Sequence, residues 1–146
     1  MRNLYLLSLL FVLSVSTFTK AQNLAWAKKM GANNADEGKA ITVDAAGNVY
    51  TTGSFDGTVD FDPGAGVANL VSTSTDVFIS KLDAAGNFVW AKKLGGTGGE
   101  FGMSIAVDGS GNVLTTGTFA GIVDFDPGAG TFTLNTSAAS IDIFIS

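Results

Sequence analysis

The sequence predicts an all-β protein built from a repeated four-stranded antiparallel unit, and three observations carry that prediction. Nineteen glycines, two prolines, 46% hydrophobic and 14% charged residues describe a chain too apolar to stay disordered and too rich in turn formers for many helices. The octapeptide VDFDPGAG stands at Val59–Gly66 and returns at Val123–Gly130, 64 residues later. Around it, Trp26–Gly66 aligns without a gap on Trp90–Gly130 with 25 of 41 residues identical, so one unit has been copied.

Met1–Ala21 reads as an export leader: Arg2 gives a positive start, Leu4–Val15 an apolar run, and Thr19-Lys20-Ala21 a small-residue cleavage site, with cutting expected after Ala21. The apolar run is shorter than the about 20 residues that a membrane span needs. No cysteine is present for lipid attachment or disulfides. Loss of Arg2 and Lys20 takes the formal charge from −5 to −7, an acidic surface that argues against nucleic acid as a partner. The expected location is secreted, periplasmic or at the cell surface, with no stable membrane span after processing. Residues 22–146 are then the repeat region, with a strand-like segment at 23–30, a first unit at 39–94 and a partial second unit at 103–146.

Within the unit, Asp44-Ala-Ala-Gly-Asn48, Asp83-Ala-Ala-Gly-Asn87 and Asp108-Gly-Ser-Gly-Asn112 each separate two stretches rich in β-branched and aromatic residues. Asp at the first position and Gly three residues later suit a type I turn closed by a left-handed glycine. The strands expected around these turns are Ala40–Asp44, Asn48–Phe55, Asp76–Asp83 and Asn87–Leu94. In Val59-Asp60-Phe61-Asp62, period-two alternation sends Val59 and Phe61 to one face and both aspartates to the other. Asp62-Pro63-Gly64-Ala65 suits a type II turn, and Val67–Ser72 returns as a strand, so the long connection is read as an added β-arm. Its counterpart in the second unit is Thr131–Thr136. DVFIS at Asp76–Ser80 recurs as DIFIS at Asp142–Ser146, displaced by 66 rather than 64, which places a two-residue insertion in a loop.

Four-stranded units of this length bury their apolar faces by stacking on like sheets around an axis, which is the logic of β-propeller blades. The pattern G-x-x-I-x-V-D-x-x-G-N-V-x-x-T-G-x-F at Gly38–Phe55, followed by D-V-F-I-S-K-L-D-x-x-G-N-F-V-W-A-K-K at Asp76–Lys93, resembles the bacterial SBBP-type β-propeller repeat. The resemblance covers nearly all of the chain past the leader and implies an exported propeller platform, without one shared reaction or catalytic set. The fold class expected is all-β, with four-stranded antiparallel blades of a β-propeller in an incomplete ring. A ring closes with four to eight blades, and about two are written here, so the expectation is a piece of a longer protein or several copies assembling head to tail.

The absence of histidine and cysteine removes imidazole and thiolate chemistry and leaves only carboxylates for catalysis or metal binding. Asp36, Glu37 and Glu100 fall in the loops joining one blade to the next and are the candidates for lining a ligand-binding rim. Asp60, Asp62, Asp124 and Asp126 are the candidate oxygen ligands for Ca²⁺, the one cofactor considered, although their spacing is not that of an EF-hand. The competing reading makes the octapeptide a structural corner. Trp26 and Trp90 are expected to pack against a neighbouring sheet, and Lys28-Lys29 and Lys92-Lys93 to combine solvated and edge-protecting charges. The function expected is an exported non-catalytic repeat module for binding, adhesion or scaffolding. Its partner would be a protein or glycan at the rim, with self-association through unpaired blade edges. The alternatives are a Ca²⁺-stabilised structural repeat and a carboxylate-based glycan hydrolase.

Overall fold

The computed structural model describes residues 23–137 and 140–146, so the expected leader lies outside the described residues. Nine strands follow in chain order: β1 (Glu37–Val43), β2 (Val49–Asp60), β3 (Asn69–Leu82), β4 (Phe88–Gly96), β5 (Phe101–Val107), β6 (Val113–Phe119), β7 (Ile122–Asp124), β8 (Thr133–Asn135) and β9 (Asp142–Ile145). Among the described residues there is no helix, and so none long and apolar enough to cross a membrane.

The turns form as their residues predict. Asp44 Oδ1 accepts the N–H groups of Ala46 and Asn48, both at 2.9 Å, and Oδ2 accepts the Asn48 side-chain amide at 2.7 Å. Asp83 and Asp108 repeat the pattern on Asn87 and Asn112. Gly47, Gly86 and Gly111 take φ of 83°, 79° and 85°, the left-handed region where a side chain is penalised. The Asn48 side-chain amide, first among its donors, holds the Asp44 carboxyl below the usual range.

Two antiparallel sheets result, one in the order β1-β2-β3-β4-β7-β8 and one in the order β5-β6-β9. Strands β1 to β4 are the first blade, and the pairing of Thr58–Asp60 with Asn69–Val71 prolongs β2 and β3 into the expected arm. Gly57, at φ 75°, bends the strand into the arm. Its counterpart Gly121, at φ 78°, separates β6 from β7, so the second arm is a separate hairpin of β7 and β8. That hairpin does not stay in its own blade. It joins the outer edge of the first, pairing Gly95 with Asp124 and Gly96 with Val123. A methyl group on Gly96 would strike the Ile122 carbonyl, so the close approach depends on Gly-Gly. The equivalent stretch 31–34 reads Gly-Ala-Asn-Asn, and no such ladder forms there. The strand expected at 23–30 is likewise not assigned: a strand needs a ladder partner, and the third strand of a preceding blade is not among the described residues.

The two core clusters show how the units stack. Phe119, Phe125 and Phe144 of the second unit pack with Tyr50, Val77, Ile79 and Leu94 on one face of the first blade. Their counterparts Phe55, Phe61 and Phe78 pack on the opposite face, where Met30 of the N-terminal segment takes the place that Leu94 holds one unit later. Each phenylalanine trio is held by one edge contact and one tilted contact, with centroids 5.4 and 4.9 Å apart in the first and 5.2 and 4.9 Å in the second.

Candidate functional site

The arms come first, because four candidate ligands lie on them. Val59 and Phe61 are buried as the alternation requires, and Asp60 and Asp62 face away from them. Asp60 Oδ1 accepts the N–H groups of Asp62 at 3.0 Å and Ala68 at 2.8 Å, and the Ala68 bond leads in lowering its pKa. Asp124 does the same with Asp126 and Phe132. Asp62 and Asp126 accept the N–H groups of Gly64 and Gly128, both at 2.7 Å. The type II turn expected at Asp62–Ala65 does not form. That turn needs a positive φ at Gly64, which is not among the glycines that adopt one, and the Asp62 carboxylate captures the Gly64 amide instead. These four aspartates therefore clamp two corners. Among the described residues no group of three or more acidic side chains is arranged to hold a metal ion.

The three rim candidates separate. Glu37 is exposed and forms an ion pair with Lys39. Asp36 accepts the Ala32 N–H at 2.7 Å through Oδ2, while its Oδ1 is buried without a donor. Glu100 is not on an open rim: it is 0% exposed, and its Oε2 accepts the Gly96 N–H at 3.2 Å, as Asp36 does one unit earlier. Its neighbour is Asp76, a residue that the turn-and-rim reading passed over. Asp76 is buried, and Lys93 Nζ lies 2.8 Å from its Oδ2. Asp76 Oδ1 and Glu100 Oε1 are both buried without an ordinary donor, and a protonated Glu100 carboxyl can donate to Asp76. Burial, then the hydrogen bond and the charge of Asp76, push the Glu100 carboxyl up to about 7. The signal was present in sequence: Asp76 recurs as Asp142, and Glu100 falls at the repeat position of Asp36.

A groove of about 340 Å³ opens beside the first blade, floored by Met30, Gly38 and Phe78 and edged by Lys28, Lys29 and Asp36. A second, of about 420 Å³, lies between Lys92-Lys93 and the Asp124–Gly128 corner. Trp90 meets Tyr50 edge-on at 6.1 Å, and Trp26 lies over Gly86 and donates its indole N–H to the Ala84 carbonyl at 3.1 Å. Trp26 thus packs on a turn of the first blade and Trp90 on Tyr50 of its own sheet, rather than on a neighbouring sheet as expected.

Stacked antiparallel sheets repeated along the chain, joined through phenylalanine trios and not closed on themselves, define a β-propeller-type repeat protein. The comparisons agree. The SBBP family, described as a beta-propeller repeat, matches residues 25–58. Over 111 residues it is 33% identical to an uncharacterized WD repeat-containing protein of Acanthamoeba polyphaga mimivirus, a match covering 66% of this chain and 8% of that protein. The chain thus spans less than a tenth of the length of this relative. No solved structure matches it significantly.

Proposed function

We propose that this chain is an exported, non-catalytic β-propeller repeat module that binds a protein or glycan at the cell surface or outside the cell. One observation carries the reading. The acids written into both units, at the Asp-Gly-Asn turns and the octapeptide corners, are engaged by backbone amides. Directly past those corners the units diverge, VANLVS against TFTLNT, leaving Val67 and Phe132 exposed on the arms. Constant corners carrying variable apolar tips suit recognition better than a reaction.

The test has two arms. Expressed with its leader, the chain is recovered from the export fraction beginning at Gln22, and the purified protein is probed against glycan and surface-protein panels. Binding that weakens roughly tenfold or more, about 1.4 kcal/mol, in Val67→Ser/Phe132→Ser with an unchanged melt supports the reading. Hydrolysis of chromogenic glycosides that disappears in Glu100→Gln overturns it.

A further inference from the structure

The two ion pairs found among the described residues differ in kind. Lys39 and Glu37 lie two positions apart on one strand, with 34% and 59% of their side chains in solvent. Lys93 and Asp76 join neighbouring strands, β4 and β3, and the Asp76 side chain is 1% exposed. Lys93 Nζ stands 2.8 Å from Asp76 Oδ2, one carbon–oxygen bond from the carboxyl carbon. Gly95 backs that carboxylate so closely that a methyl group there would strike it, which limits its rotation away from the lysine.

A third group completes the cluster. Glu100 is fully buried, the Gly96 amide fixes its Oε2, and its Oε1, like Asp76 Oδ1, is buried without an ordinary donor. The Glu100 carboxyl hydrogen-bonds to Asp76. Lys92, next to Lys93 in the chain, is exposed and forms no ion pair with a described residue. An amine, a carboxyl that it touches, and a second carboxyl able to donate to the first are the parts of an amide-forming reaction. Held in contact, they react without the concentration that free reactants would need.

We infer that Lys93 and Asp76 condense to an intramolecular isopeptide bond, with Glu100 as the catalytic residue that moves the proton. Within the ion pair a proton passes from the ammonium to the carboxylate, because a charge pair shielded from water is costly, and a free amine results. The Nζ lone pair forms a bond to Asp76 Cγ while the Glu100 hydrogen bond to Oδ1 polarises the carboxyl. The bond from Cγ to Oδ1 then breaks; Glu100 gives its proton to the departing oxygen and recovers one from the nitrogen. Of the ammonium's three protons, one stays on the amide nitrogen and two leave with the water. One ammonium and one carboxylate thus become one amide and one water, and no cofactor or oxidant is consumed. The water leaves by the groove of about 420 Å³ that Lys93 lines, where 37% of its side chain reaches solvent. In a chain with no cysteine, the bond ties β3 to β4 beside the point where β7 joins the sheet. The arm tips take no part, so this inference stands apart from the ligand reading.

Intact mass spectrometry of the purified full chain, repeated over days at neutral pH, tests this. The expected result is the loss of the mass of one water, with a tryptic product that joins residues 40–81 to 93–146. Succinimides at Asp56-Gly57 or Asp108-Gly109 would show the same loss, but hydroxylamine cleaves those and leaves the isopeptide bond intact. Lys93→Arg keeps a cation beside Asp76 but not a nucleophilic amine, and is expected to retain its full mass. Lys92→Arg is expected to lose the water as the native chain does. Glu100→Gln, with an unchanged circular dichroism spectrum, is expected to react about a hundredfold more slowly or less. A native chain that keeps its full mass overturns the inference, and so does a water loss that persists in Lys93→Arg or maps to an Asp-Gly bond. An unchanged rate in Glu100→Gln overturns the part given to Glu100.

Discussion

Ile79 and Ile145 are the same residue at equivalent points of two copies of one unit, but Ile79 lies beneath a stacked unit in a strand flanked on both sides, whereas Ile145 lies uncovered in a strand paired on one side. Ile79 is 7% exposed beneath the second unit's phenylalanines, and Ile145 is 78% exposed. Ile79→Ala removes three carbons from a filled junction. At about 0.8 kcal/mol for each, the lost transfer energy is about 2.4 kcal/mol, and the cavity left behind raises the cost into the range of about 2–5 kcal/mol. Against a total stability of about 5–15 kcal/mol, that is a large fraction. For a domain of this size it lowers the melting temperature by roughly 10 °C. Ile145→Ala, at an exposed position, is expected to change stability by less than about 0.5 kcal/mol. Urea unfolding of both variants checks the difference. Equal losses, or an Ile79→Ala cost below about 1 kcal/mol, would refute the argument that one unit buries the face of the next.

The remaining predictions concern the polar junction and the corners. Glu100 carries a folded pKa of about 7 against an ordinary 4.5, so the native state binds the extra proton. Its contribution is complete below about 4.5, declines as pH rises and is lost above about 7; a melting series from pH 4 to 8 should show that fall, and Glu100→Gln should flatten it. Persistence of the same slope in the variant would assign it to another group. Gly95→Ala drives a methyl group into the Asp76 carboxylate and is expected to cost more than about 3 kcal/mol, whereas Gly109→Ala, with nothing within 4 Å, should be nearly silent in denaturant unfolding. Chelation of divalent ions is expected to leave the melting temperature unchanged, because Asp60 and Asp124 already hold two backbone amides each; a drop on adding chelator would favour a bound cation instead.

What could be read beforehand was local. Asp44-Ala-Ala-Gly-Asn48 names its own turn, because carboxylate, glycine and amide meet within five residues, and Val59-Asp60-Phe61-Asp62 sorts its faces by alternation alone. Events between units were hidden. Nothing in the composition of Ile122–Asp124 says that this segment will leave its own blade for β4, since that choice depends on the close approach which Gly95 and Gly96 permit. The Asp76–Glu100 pair was missed for a related reason: 24 positions apart, the two residues meet only where one sheet lies on another. The turn at Asp62–Ala65 failed differently. Pro-Gly favours type II, but the Asp62 carboxylate holds the Gly64 amide and Gly64 stays out of the left-handed region that the turn needs.

The graft of β7 onto β4 ties the fates of the two units together. Four residues, Thr97 to Glu100, separate β4 from β5, and beyond them the chain returns to bond with the strand it has just left. Fraying of the first blade at Gly95–Gly96 therefore also loosens the anchor of the second arm. Melting should pass through both units as one cooperative event, and a protease cut within residues 125–132 should speed hydrogen exchange in β4, on the far side of the junction.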